Sequence, residues 1–92
     1  MLAELFSIIE DRKAHPVEGS YTHRLLSAGE DEILKKVGEE AMEVILAAKG
    51  QGDSRVVEEV ADLFYHTLVF LASRDLSLAD VEAELRRRHI RS

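Results

Sequence analysis

The 92-residue chain has no cysteine, no tryptophan and a single proline. Without cysteine there is no disulfide scaffold, no thiolate zinc site and no cysteine nucleophile. A cysteine-free chain fits a cytoplasmic protein. Aromatics are only 5%, so the core has to be built from Leu, Val, Ile and Ala. A core this small is often completed by a second chain. Positive charge is also scarce: 12 Lys and Arg face 18 Asp and Glu, for a formal net charge of −6. That balance argues against a nucleic-acid or anionic-membrane surface. No apolar run approaches the ~20 residues needed to span a bilayer. Met1-Leu2-Ala3-Glu4 lacks the basic start of a signal peptide. There is no Walker-type glycine loop and no dinucleotide fingerprint.

What remains is helical. Leu2, Leu5, Phe6, Ile8 and Ile9 predict an amphipathic helix ending near Lys13, broken by His15-Pro16-Val17-Glu18-Gly19. Ser20 can cap a short helical turn through Leu26, ended by Gly29. A long helix follows from about Asp31 to Lys49. Gly50-Gln51-Gly52-Asp53 is a tight break, with Asp53 or Ser54 as the next N-cap. A second long helix covers roughly Arg55 to Ser73, and Ser77-x-x-Asp80 caps a last one reaching about Arg88. The one β-like stretch, Thr67 to Leu71, continues a helical pattern on both sides. The fold class is therefore all-α: one domain over residues 1–92, built on a hairpin of two long helices with flanking helices.

Two acidic pairs stand out, Glu40-x-x-Glu43 and Glu59-x-x-Asp62. Each places two carboxylates one turn apart on a helix face. Four hard oxygen donors on neighbouring helices suit Mg²⁺ or Mn²⁺, through which an acidic cluster can hold phosphate. On the first long helix Ile33, Val37, Ala41, Val44, Ile45 and Ala48 form an apolar stripe, with Glu40 at its border and Lys36 between the two acids. Glu39 points nearly opposite the stripe. On the second, apolar residues cover most of the circumference, which predicts a largely buried helix with Glu59, Asp62 and His66 on the remaining strip. Solvated acidic faces explain the same spacing, because Glu is a good helix former. A di-iron bundle needs Glu-x-x-His, and no acid stands three positions before His15, His23, His66 or His89. His66 reads as a packing or supporting residue.

Ser20-Tyr21-Thr22-His23-Arg24 could offer hydroxyls and N–H groups to phosphate or ribose, although the local pattern favours an ordinary N-cap. Gly38 inside a helix costs about 1 kcal/mol relative to Ala and predicts close approach by a neighbouring helix or ligand. Arg12-Lys13 and Lys49 are candidate phosphate contacts or solvated helix ends. Arg86-Arg87-Arg88 complements a helix C-terminus.

Ser20-Tyr21-Thr22, Lys36-Val37-Gly38-Glu39-Glu40-Ala41-x-Glu43-Val44 and Glu59-x-x-Asp62-Leu63-x-Tyr65-His66 together resemble the phosphoribosyl-ATP pyrophosphohydrolase family, within the wider all-α NTP pyrophosphohydrolases. The resemblance runs from about Leu2 to Arg88. It implies hydrolysis of phosphoribosyl-ATP to phosphoribosyl-AMP and pyrophosphate in histidine biosynthesis. It also implies Mg²⁺ dependence and a homodimer with a four-helix-bundle core. The cyclohydrolase step, fused to this enzyme in some organisms, would then need a separate protein. By the same resemblance Glu40, Glu43, Glu59 and Asp62 hold metal, Glu39 acts as general base or orients metal-bound water, and Ser20, Tyr21, Thr22 and Lys36 contact substrate. A house-cleaning pyrophosphohydrolase acting on another nucleotide, or a non-catalytic helical dimerisation module, fits the same pattern.

Overall fold

The computed structural model describes residues 1–90. Among them are five helices and no strand: α1 (Leu2–Ala14), α2 (Tyr21–Ala28), α3 (Glu30–Gly50), α4 (Asp53–Ser73) and α5 (Leu78–His89). Thr67 to Leu71 lies inside α4, as its flanking pattern requires.

The breaks have local causes. His15 leaves the helical region at φ −129° and ψ 80°, because the ring of Pro16 disfavours helix in the residue before it. Gly29 and Gly52 sit at φ 99° and 90°, where a side chain would be strained. Gly29 lets α3 begin at once, and Gly52 turns the chain back so that α3 and α4 lie antiparallel. The N-cap of α4 is Gly52, not Asp53 or Ser54, which lie inside the helix. Its backbone makes the turn and its C=O accepts from Val56 N–H at 3.2 Å. At α5 the expected capping box is present: Ser77 Oγ accepts from Asp80 N–H at 3.1 Å, and Asp80 Oδ2 accepts from Ser77 N–H at 2.9 Å.

The core occupies one end of the hairpin. Phe6 and Ile9 from α1, Leu25 from α2 and Ile33 from α3 pack on Leu68, Val69, Leu71 and Ala72 of α4. Two cations fasten this end. Lys13 donates to the Ala72 carbonyl at 2.7 Å and pairs with Asp75. Arg74 reaches Glu30 at 3.1 Å, tying the end of α4 to the start of α3. Lys13 thus ties α1 to the C-terminal end of α4 and the residues that follow it.

Two expectations about helix faces are corrected. The inward face of α3 is defined by buried Ile33 and Ala47, which puts Glu40 near its centre, whereas Ala41, Ile45 and Ala48 are exposed. In a single chain the buried apolar residues of α4 all lie in its C-terminal half, and Val57 is 69% and Phe64 49% exposed. No neighbouring helix of the chain approaches Gly38 closely, since a Cβ there would meet nothing within 4 Å. Helix α5 buries no residue. Its Leu78, Val81 and Leu85 line an open apolar groove of about 370 Å³ with Leu2, Phe64 and Leu68.

Adjacent isoleucines on α1 test this core. Ile9 is 1% exposed and Ile8 49%. Ile9→Ala is expected to lower unfolding free energy by about 2–4 kcal/mol, and Ile8→Ala by less than about 1 kcal/mol, as measured by urea denaturation.

Candidate active site

On α4, Arg55, Glu59, Asp62 and His66 follow each other at spacings of four, three and four residues, which aligns them along one face. On α3, Glu39 and Glu43 are four apart, and Glu40 lies about 60° round from Glu43. The hairpin brings the two rows together. Glu39, Glu40, Glu43, Arg55, Glu59 and Asp62 line an open cleft of about 470 Å³. All four carboxylates of the two acidic pairs therefore face one space. Within it, one oxygen each from Glu40, Glu59 and Asp62 lie within 4.8 Å of one another. Glu43 lines the cleft outside that tight group. Glu39 also lines it, so its outward angle on a stripe-centred wheel is corrected: measured from the buried row, it flanks Glu43.

The acids differ in burial. Glu59 is buried, Glu40 half-buried and Asp62 exposed. Burial first, then Glu59 and Asp62, push the Glu40 carboxyl above the usual carboxylate range. Arg55 supplies the cleft's positive charge, with Nη2 2.6 Å from Glu59 Oε1. Lys36 stands at the edge, 3.5 Å from Glu39. Glu39 first, with Tyr21 and Glu32 adding, holds the Lys36 ammonium above its ordinary value.

Beside the acids, α2 is joined to α4 by side-chain hydroxyls. His66 Nδ1 lies 2.7 Å from the Asp62 carbonyl. A carbonyl only accepts, so Nδ1 carries a proton. In the neutral ring Nε2 then accepts from the Tyr21 hydroxyl at 3.0 Å. Thr22 and Tyr65 share a second hydroxyl contact, and the Tyr21 and Tyr65 rings stack at 6.2 Å. Ser20 Oγ accepts from His23 N–H at 3.2 Å, an N-cap of α2. Each hydroxyl of Ser20, Tyr21 and Thr22 thus has a partner within the chain, and the segment forms a fixed wall. His66 is 5% exposed, the supporting residue expected.

Arg55 and Tyr65 escaped sequence reasoning as site residues. The signal for Arg55 was its spacing of four before Glu59, obscured because Arg55 also begins the predicted helix. Tyr65 stands in the motif that carries the family resemblance, but no spacing gave it a role, since its contact to Thr22 spans 43 residues.

A long helical hairpin gathers Glu-Glu-x-x-Glu from one helix and Glu-x-x-Asp from the next into one cleft, the arrangement that the resemblance to the all-α NTP pyrophosphohydrolases implies. Within that class the chain belongs to the phosphoribosyl-ATP pyrophosphohydrolase family, whose family model matches residues 2–89. It is 48% identical over 89 residues to the phosphoribosyl-ATP pyrophosphatase of Clostridium acetobutylicum, covering 97% of this chain and 81% of that protein. Against the phosphoribosyl-ATP pyrophosphatase of Listeria welshimeri, identity is 54% over 88 residues, covering 96% of this chain and 84% of the relative. It is also 56% identical over 87 residues to the histidine biosynthesis bifunctional protein HisIE of Gloeobacter violaceus, where the match covers 95% of this chain but only 39% of that longer protein.

The raised Glu40 value has a definite sign. A carboxyl raised on folding gives stability that is present below its unfolded value near 4.5 and is lost as pH rises through the folded value. Glu40→Gln, which mimics the protonated acid, is expected to raise the melting temperature in EDTA at pH 7. The gain should shrink toward zero near pH 4, as read by paired thermal melts across that range.

Proposed function

We propose that this chain hydrolyses the α–β phosphoanhydride of phosphoribosyl-ATP, releasing phosphoribosyl-AMP and pyrophosphate, with Mg²⁺ or Mn²⁺ held in the acidic cleft. The observation that carries this is the approach of Glu40, Glu59 and Asp62 oxygens to within 4.8 Å. Family membership and the names of the relatives supply the substrate. The donor set fits a hard divalent cation: carboxylate oxygens only, from both helices, with more negative charge than Arg55 balances. Glu43, which lines the same cleft, would serve a second ion or a coordinated water. A bound Mg²⁺ supplies charge neutralisation along the triphosphate oxygens.

The chain's own residues then have separable tasks. Glu39, at the exposed side of the cleft, takes the proton of the attacking water. The water oxygen bonds to phosphorus as the α–β anhydride bond breaks, and pyrophosphate leaves with the bonding pair. Lys36, held by Glu39, offers its ammonium to a phosphate. Ser20, Tyr21 and Thr22 form the wall for the phosphoribosyl end, kept in place by His66 and Tyr65. Positioning and charge neutralisation are most of what such a reaction asks of a protein.

We propose further that the enzyme is a cytoplasmic homodimer. Met42, Ile45 and Leu46 on α3, Val57 and Phe64 on α4, and Leu85 on α5 are large apolar side chains left exposed in one chain. Apolar exposure on this scale marks an association surface.

Pyrophosphate release from phosphoribosyl-ATP should require Mg²⁺ and stop in EDTA. Glu59→Gln and Asp62→Asn are each expected to lower kcat by about 100-fold or more. Turnover of deoxynucleoside triphosphates with none of phosphoribosyl-ATP would overturn the substrate assignment. Sedimentation is expected to give about twice the 10.3 kDa of one chain, and Phe64→Lys to shift it toward a single chain.

A further inference from the structure

The acidic cleft brings a cation of its own. Arg55 Nη2 lies 2.6 Å from Glu59 Oε1, and Nη1 lies 2.8 Å from Glu58 Oε2. Glu59 is the buried acid of the cleft, 3% exposed, whereas the Arg55 side chain is 46% exposed. The pair is therefore asymmetric. The carboxylate is fixed in the wall between α3 and α4, and the guanidinium comes to it from the solvent side on a flexible stem. Glu59 is also one of the three acids whose oxygens gather within 4.8 Å. A divalent cation among those oxygens competes directly with Arg55 for the same carboxylate.

Guanidinium cannot shed its charge at any pH a protein survives. Arg55 must either stay beside an arriving dication, at a Coulombic cost, or move. Its exposed stem lets it move toward the open mouth of the cleft, where a phosphate chain lies in the proposed reaction. We infer that Arg55 is an exchangeable counter-ion: it balances Glu59 in the metal-free protein, yields Glu59 to the divalent cation, and then pairs with phosphate oxygens of the substrate. This rests on the proposed metal-dependent hydrolysis and adds a positioning and binding residue to it.

The role has a signature that a structural salt bridge lacks, because loss of Arg55 acts in opposite directions on two ligands. Removing one positive charge a few ångströms from a water-exposed cation site should tighten the cation by about three- to tenfold. Removing a charge-assisted bond to phosphate should weaken pyrophosphate by about tenfold. A merely structural contact would weaken both ligands together.

The experiment is calorimetric titration of Mn²⁺ without nucleotide, then of pyrophosphate at saturating Mn²⁺. It compares the unaltered chain with Arg55→Gln, Arg55→Met and the charge-retaining Arg55→Lys. Circular dichroism and thermal melts identify the folded variants. The expected result is tighter Mn²⁺ and weaker pyrophosphate for Arg55→Gln and Arg55→Met, with Arg55→Lys close to the unaltered chain. Mn²⁺ affinity in the uncharged variants equal to or below that of the unaltered chain overturns the exchange while leaving the metal site standing. No Mn²⁺ uptake by the unaltered chain overturns the metal site, and the exchange with it.

Discussion

Carboxylates from two helices share one space between α3 and α4, and like charges so placed repel. Glu40, near the centre of the inward face of α3, meets Glu59 and Asp62 across the gap. Left to themselves these groups would open the hairpin. What keeps it closed is the core at its far end, where Ile33 and Val69 are fully buried with Ile9 of α1, together with the short reversal at Gly52. Hydrophobic burial at about 25 cal/mol per Å² at one end thus stabilises a charge cluster at the other. Burial first, and then Glu59 and Asp62, push the Glu40 carboxyl above the usual carboxylate range. Arg55 offsets part of the repulsion. A divalent cation would relieve the most, because it answers several carboxylates at once.

The wall beside the cleft follows a related logic. A cluster of acids cannot by itself recognise a phosphoribosyl group, and a flexible loop would present hydroxyls without fixed direction. Here the first turn of α2 is held by two side-chain contacts to consecutive residues of α4, Tyr65 and His66. His66 reaches backward along its own helix to the Asp62 carbonyl, so one ring joins the wall to the backbone of a cleft acid. Displacing α2 would disturb Asp62, and displacing Asp62 would disturb Tyr21.

Much of this was legible in the order of residues, and the exceptions have physical causes. The helices could be read from apolar spacing and from Pro16, Gly29, Gly52 and Ser77, because those signals are local. The acidic pairs could be read for the same reason. The convergence of Glu40, Glu59 and Asp62 could not, since it depends on the rotation of α3 against α4. That rotation was misjudged: Ala41, Ile45 and Ala48 looked like an inward stripe when Ile33 and Ala47 define the buried row. The confusion arises because α3 carries two apolar rows, and spacing alone does not say which faces the chain's own core. Glu39 was displaced outward by the same error. Arg55 and Tyr65 gain their meaning from partners in three dimensions.

That second apolar row bears on catalysis as well as on assembly. Toward the Gly52 turn the hairpin has a thin core: Ala47 is the one fully buried apolar residue there on α3, Val44, Val56 and Val60 are half-buried, and Val57 is largely exposed. Yet this is the half that must hold mutually repelling acids within a few ångströms. Over this stretch the acids repel across two helices that few buried apolar contacts hold together. A proposed second chain covering Met42, Ile45, Val57 and Phe64 would strengthen that hold by burying the outer faces of both helices. Dimerisation would then set the spacing of Glu40 and Glu59, and with it the affinity for a cation that tolerates little variation in ligand distance. Association and metal binding become linked: each ion bound would favour the dimer by as much as dimerisation tightens the site.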